Sequence, residues 1–271
     1  MGEVMGEVMG EVMQEGTKDS GIAVIGGSGL ERMPGVEVVD TREMTTPFGP
    51  PSAPLMELAA EGERFWFLSR HGDRHDIAPH RVNYRANLWA LDQLGVCRVI
   101  AVNAVGVIPA EPPLGTLAVP DQLIDYSWGR EPTFFDGESG PLEHIDFTEP
   151  YDAALRQVLI GRAAALGIPC RAGGIYGVTQ GPRLETRAEV DRLARDGVEY
   201  IGMTGMPEAV LARELALEYA CLAVLVNRAA GRGQAAIHAD LEENLTRGAE
   251  AASRVALALV VSAAAPSPED A

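Results

Sequence analysis

Apolar residues recur along this chain in two rhythms. Four short runs, Gly21–Gly26 (GIAVIG), Arg64–Ser69 (RFWFLS), Arg98–Asn103 (RVIAVN) and Ala220–Asn227 (ACLAVLVN), are apolar at nearly every position. They predict strands buried on both faces. Between them the spacing predicts helices over Arg81–Leu94, Tyr151–Leu166, Glu185–Asp196, Pro207–Leu217 and His238–Ala264. Thr186 and Glu189 have the spacing of a capping box, and Gly95, Gly167 and Gly197 sit where helices stop. Strands alternating with helices over residues 21–264 predict one α/β domain. In such sheets ligands gather at the carboxyl ends of the strands.

The ends have a different texture. Residues 1–12 are MGEV three times over, a period too short to build a core, so residues 1–20 are expected to form a disordered low-complexity extension. Residues 265–271 (PSPEDA and its preceding alanine) are expected to be a disordered tail.

Charge narrows the partners. Of the 271 residues, 22 are basic and 39 acidic, a formal net charge of −17. That excludes a general affinity for nucleic acid or an anionic membrane, both of which need basic surface. Small anions remain accessible, because backbone N–H groups and one or two arginines can hold them locally. Cys97, Cys170 and Cys221 are widely spaced and form no Cys-x-x-Cys pair, which predicts neither a zinc knuckle nor a disulfide framework. With no basic, apolar leader and no run long enough to span a bilayer, a cytoplasmic location is expected.

Candidate chemistry lies at the predicted strand ends. Gly26-Gly27-Ser28-Gly29-Leu30 follows the first strand and suits either a tight turn or an anion cradle. Arg32 breaks a dinucleotide fingerprint and Leu30 breaks a nucleophile elbow. Ser69-Arg70-His71-Gly72 follows the second strand, offering a guanidinium and an imidazole as donors to an oxyanion. His71, His75 and His80 invite a metal reading, but Gly72 and Pro79 make the segment a loop, and no metal is expected. Asn103-Ala104-Val105-Gly106 ends the third strand with small residues. GPRLET (181–186) and GMTGMPE (202–208) both lead into helices, where Thr204 and Glu208 also fit simple capping.

GGSGL, RHG, VNYRANLWAL, NAVG, GPRLET, GMTGMPE and a strand ending in VN, in this order over residues 21–262, resemble the trimeric purine nucleoside phosphorylase and methylthioadenosine phosphorylase family. The resemblance implies a nucleoside phosphorylase-like fold, a single α/β domain with a central mixed β-sheet flanked by helices, and a homotrimer. It also implies a pentosyltransferase that cleaves a purine nucleoside with inorganic phosphate as co-substrate and no cofactor. By motif, Ser28, Arg70, His71, Ala104 and Thr204 would hold phosphate, with Ala104 acting through its backbone N–H. Met203 would lie against the ribose. Gly106, Leu184, Glu185 and Asn227 would form the base site, with Asn227 as the catalytic residue. His144 matches a position that a neighbouring subunit contributes to this pocket.

The same resemblance points to a substrate. Methylthioadenosine phosphorylases carry aspartates where this chain has Asn227 and Ala229. An ionised Glu185 only accepts hydrogen bonds, which suits the N1–H of hypoxanthine; Asn227 can donate to O6 while its carbonyl accepts a proton on N7. Leu241 stands where inosine- and guanosine-cleaving enzymes have a histidine for the 5′-hydroxyl, and an apolar side chain there suits a methylthio group. Phosphorolysis of 5′-methylthioinosine is therefore expected, in purine and methylthioadenosine salvage. An inosine and guanosine phosphorylase, a methylthioadenosine phosphorylase and a nucleoside-binding protein without catalysis stand as alternatives. Val107, Pro109 and Pro112-Pro113 depart from the family pattern in a way expected to reshape the floor of the base site. Leu184 replaces a stacking phenylalanine, and Arg228 and Arg232 add charge nearby.

Overall fold

The computed structural model describes residues 21–27, 35–137, 142–233 and 241–262. The expectations for residues 1–20 and 265–271, and for Ser28, fall outside these. Eleven strands form one mixed sheet: β1 (Gly21–Gly26), β2 (Val36–Arg42), β3 (Leu55–Ala60), β4 (Glu63–Ser69), β5 (Val96–Val107), β6 (Leu117–Val119), β7 (Gln122–Asp125), β8 (Cys170–Ala172), β9 (Ile175–Val178), β10 (Val198–Gly202) and β11 (Glu218–Arg228). Five helices are described: α1 (Tyr84–Gln93), α2 (Ala153–Ala165), α3 (Arg187–Arg195), α4 (Gly205–Glu214) and α5 (Leu241–Ser262).

The strand β5 is the hub. Along one edge its first half pairs in parallel with β1, from Val96 to Ala101, and its last two residues pair antiparallel with β10. The other edge pairs in parallel with β11 from Arg98 to Val107. Between Ala101 and Gly106 the first edge thus passes from one neighbour to another, leaving a gap in the sheet. That gap is where the functional cleft opens.

All four predicted strands are present, and their double-sided burial explains why they were legible. In β11, Tyr219, Cys221, Ala223 and Leu225 pack into one core with α1 and α4, while Ala220, Leu222, Val224 and Val226 pack into another with α2 and α5. Each fully buried Leu or Val among them contributes about 1.5–3 kcal/mol. The third strand runs further than predicted, to Val107, because β10 and β11 both hydrogen-bond its end. Ala104 and Gly106 therefore sit within a strand.

Helix boundaries follow local chemistry. The predicted Arg81 start is corrected: Pro79–Arg81 form a separate 3-10 turn, and α1 begins after Asn83, whose side chain accepts from the Ala86 N–H at 3.2 Å. The α3 capping box is complete, with Glu189 N donating to Thr186 Oγ1 at 3.2 Å and Thr186 N donating to Glu189 Oε2 at 2.7 Å. Consequently α3 starts at Arg187, and Glu185 lies before the cap, in the loop. Gly95, Gly167 and Gly197 adopt φ of 74°, 65° and 91°, the left-handed turn that ends a helix.

Candidate active site

A cleft of about 950 Å³ lies over the gap beside β5, walled by the ends of β1, β4, β5 and β11, the start of α4 and the first turns of α5. It gathers Arg70, His71, Ala104, Gly106, Leu184, Glu185, Met203, Thr204, Asn227 and Leu241 from across the chain. Gly27 lines it too, next to Ser28 in sequence.

Arg70 follows β4 directly, and its backbone N–H donates to Gly26 O at 2.9 Å, locking it beside β1. The guanidinium is buried. Nε and Nη2 donate to Glu208 Oε2 and Oε1 at 2.7 and 2.8 Å, Nη1 donates to Val102 O at 2.9 Å, and Nη2 reaches Ile25 O at 3.4 Å. Four of its five N–H donors are occupied, leaving one on Nη1. Glu208 is wholly buried and also accepts from Tyr219 Oη at 2.9 Å. A carboxylate there would be costly alone; the two-point pairing compensates it.

The His71 ring is oriented by a 2.8 Å contact between Nδ1 and Ile77 O. A carbonyl only accepts, so Nδ1 carries the proton and Nε2 is the free nitrogen. Burial, then the charges of Arg70 and His75, push the imidazole pKa down despite the Ile77 contact. The ring is thus held neutral with Nε2 as an acceptor, which amends the expectation that it donates. Such a nitrogen suits the O–H of hydrogen phosphate.

Thr204 precedes α4, yet its side chain makes no capping bond. Its Oγ1 instead accepts from Asn103 Nδ2 at 2.7 Å, while Asn103 Oδ1 accepts from Cys221 Sγ at 3.4 Å. The Thr204 hydroxyl hydrogen remains available to a ligand. The simple capping reading of Thr204 and Glu208 gives way to these contacts.

Glu185 also lines the cleft, where its Oε1 accepts from Thr179 Oγ1 at 2.6 Å, leaving the rest of the carboxylate for a ligand. Asn227 Nδ2 donates one hydrogen to Arg228 O at 2.9 Å, which leaves one N–H and Oδ1. Gly106 makes room for that amide, since a Cβ there would stand 3.3 Å from Asn227 Nδ2. Leu184 is 41% exposed at the rim. Met203 packs on Gly181, where a Cβ would approach its Sδ to 2.4 Å. Leu241 is half-buried at the first position of α5. His144 is exposed and outside the cleft of its own chain.

Of the departures from the family pattern, Leu184 lines the cleft, while those at and after Val107 fall elsewhere. The Val107 side chain is fully buried in the core on the α1 and α4 side and does not line the cleft, contrary to the expected reshaping of its floor. Arg228 holds the proline-rich loop, donating to Pro109 O at 2.7 Å and Pro112 O at 2.9 Å, and Arg232 pairs with Asp191 at 2.9 Å. His71 and His75 are ring neighbours, their centroids 4.8 Å apart, and no cluster of three or more metal-ligating side chains occurs among the described residues. Sequence reasoning passed over Asn103, Thr179 and Arg130 as positioning groups. A polar residue inside an apolar strand was the one available signal, at Asn103.

A sheet interrupted beside its central strand holds one cleft that gathers Arg70, His71, Glu185 and Asn227, and comparison with known proteins places the chain among nucleoside-cleaving phosphorylases. The chain belongs to the phosphorylase superfamily, whose family pattern matches residues 21–261. It is 51% identical over 214 residues to the probable S-methyl-5′-thioinosine phosphorylase of Xanthomonas campestris pv. campestris, covering 79% of this chain and 86% of that one. It is 42% identical over 247 residues to the 6-oxopurine nucleoside phosphorylase of Pyrococcus furiosus, covering 88% and 91%. A methylthioadenosine phosphorylase crystal structure from an antarctic soil metagenomic library superposes with a TM-score of 0.85 at 34% identity, covering 92% and 88%.

Proposed function

We propose that this enzyme cleaves 5′-methylthioinosine with inorganic phosphate, releasing hypoxanthine and 5-methylthioribose 1-phosphate. The observation that carries this reading is that one cleft gathers Glu185 and Asn227 together with Arg70, His71 and Thr204. The C1′–N9 bond breaks with its electrons passing to the purine, and a phosphate oxygen bonds to C1′. The transition state is oxocarbenium-like, as in glycoside hydrolysis. Phosphate is the nucleophile, so the protein's work is to position an anion below the sugar and stabilise the leaving base.

The residues divide that work. The free Nη1 hydrogen of Arg70, the Thr204 hydroxyl and the Ala104 N–H donate to phosphate, with Ser28 expected to join them. Neutral His71 accepts a hydrogen bond from the phosphate O–H at Nε2. Glu185 accepts from N1–H of the base, and Asn227 donates to O6 while its Oδ1 accepts the proton that arrives on N7. Overall the proton lost by hydrogen phosphate appears on hypoxanthine, which balances the reaction. Leu184 covers the base, Met203 packs on the ribose, and Leu241 gives the methylthio group an apolar wall in place of a 5′-hydroxyl donor. No metal or organic cofactor takes part in this scheme.

In this reading the enzyme is a cytoplasmic homotrimer serving purine salvage, and His144 completes a neighbour's pocket. It binds neither nucleic acid nor membrane; no described helix is long and apolar enough to cross a bilayer. Product analysis tests the reaction. Hypoxanthine and a sugar phosphate should form together and only with phosphate present. Hypoxanthine with free methylthioribose would refute phosphorolysis, and tight purine binding without turnover would refute the enzyme.

A further inference from the structure

Arg130 lies in the connection between β7 and α2, and the hydrogen bonds of its guanidinium go to carbonyl oxygens and the Tyr84 hydroxyl. Its carbonyl acceptors belong to two segments, residues 179–180 after β9 and residues 203–206 at the start of α4. Nη2 reaches Gln180 O at 3.0 Å and Thr179 O at 3.3 Å; Nη1 reaches Met203 O at 2.9 Å and also Met206 O. The charged carbon stands 5.7 Å from the centre of the Tyr84 ring.

The two loops carry different halves of the cleft. Thr179 holds the Glu185 carboxylate through its hydroxyl, while the Met203–Met206 segment carries Met203 and Thr204. The ladder between β9 and β10 ends at Val178 and Gly202, with one further bond from Thr179 N to Gly202 O at 2.8 Å. Beyond that point the loops leave the sheet, and Arg130 continues the cross-link. A planar fork can direct one nitrogen to each loop; an ammonium is a point charge and cannot.

We propose that Arg130 is a positioning residue that fixes the base-reading loop around Glu185 against the sugar- and phosphate-binding loop around Met203 and Thr204. It touches no substrate atom in this scheme. The inference rests on the phosphorolysis reading for its readout. Misplacing a reacting group by about 1 Å costs about 100-fold in rate, so the effect falls on kcat. Each half-site keeps its own ligand contacts, so the two KM values move less.

The test uses the full-length protein. Wild type, Arg130→Ala and Arg130→Lys are assayed over methylthioinosine and phosphate concentrations, with and without millimolar guanidinium chloride, and their thermal midpoints are measured. Arg130→Ala should lose about 100-fold in kcat with both KM values changed far less. Added guanidinium should restore part of that rate, and Arg130→Lys should stay impaired. A kcat near wild type, or a loss that guanidinium leaves unchanged at any thermal midpoint, would overturn the proposal. If the wild-type enzyme turns over inosine and not methylthioinosine, the same series is read with inosine, so the two conclusions fail separately.

Discussion

Arg70 and Glu208 lie 138 positions apart and meet through two hydrogen bonds of 2.7 and 2.8 Å, with side-chain exposures of 2% and 0%. Arg70 lines the cleft and Glu208 lies behind it, at the corner proposed to take phosphate. Glu208 offsets the guanidinium's charge, so in the proposed scheme phosphate would meet a directed N–H more than a bare cation. Orientation of that donor, set by Glu208 and by Tyr219 behind it, matters as much as its charge.

Removing one charge from this pair should therefore be expensive twice. Glu208→Gln leaves a buried guanidinium uncompensated, a loss of about 3–5 kcal/mol in stability. Urea unfolding should report that loss, and the KM for phosphate should rise while the KM for nucleoside moves little.

The base site makes a chemical prediction. Asn227→Asp replaces a donor to O6 by a second acceptor, so a 6-oxopurine would face a carboxylate. Unpaired polar groups cost about 1–3 kcal/mol, and more when charged, so kcat/KM for methylthioinosine should fall at least ten-fold. Methylthioadenosine turnover should rise. Unchanged selectivity would remove Asn227 from base reading.

The 5′ wall is tested by Leu241→His. A donor there should raise the preference for inosine over methylthioinosine, read as the ratio of the two kcat/KM values. A ratio unmoved by the exchange would make Leu241 a packing residue only.

Acid should inactivate the phosphate site through His71. The required form is the neutral ring, and burial with the charges of Arg70 and His75 lowers its pKa. The ordinary imidazole value is about 6.5, so the ring protonates only below that pH and turns Nε2 into a donor. In pH profiles of kcat/KM for phosphate, the limb abolished by His71→Gln should lie below pH about 6.5. A limb above that value that His71→Gln removes would contradict the assignment of the neutral ring.

How much of this was legible depends on where the determinants reside. The run Ala220–Asn227 announced β11 because alternate residues enter two cores, making every position apolar. The edge strand β2 gave no such signal, as Val38 and Val39 remain 51% and 43% exposed. The α3 start was readable from Thr186 and Glu189 because a capping box is local. Arg70 was singled out because it follows a predicted strand end, and Glu185 and Asn227 through the family resemblance; the structure brings all three to one cleft. Their supports were hidden: Glu208 meets Arg70, Arg130 meets Met203 and Ile77 O sets the His71 tautomer only after folding. Val107 was expected at the cleft floor, but the cleft-lining stretch of β5 ends at Gly106 and the Val107 side chain is buried in the core with α1 and α4.

The most direct measurement is kcat/KM for methylthioinosine and methylthioadenosine with saturating phosphate, on the same wild-type preparation. Glu185 and Asn227 as a 6-oxopurine reader predict methylthioinosine ahead by at least ten-fold, the factor worth about 1.4 kcal/mol of lost pairing to adenine. Equal values, or methylthioadenosine ahead, would contradict that reading of the base site.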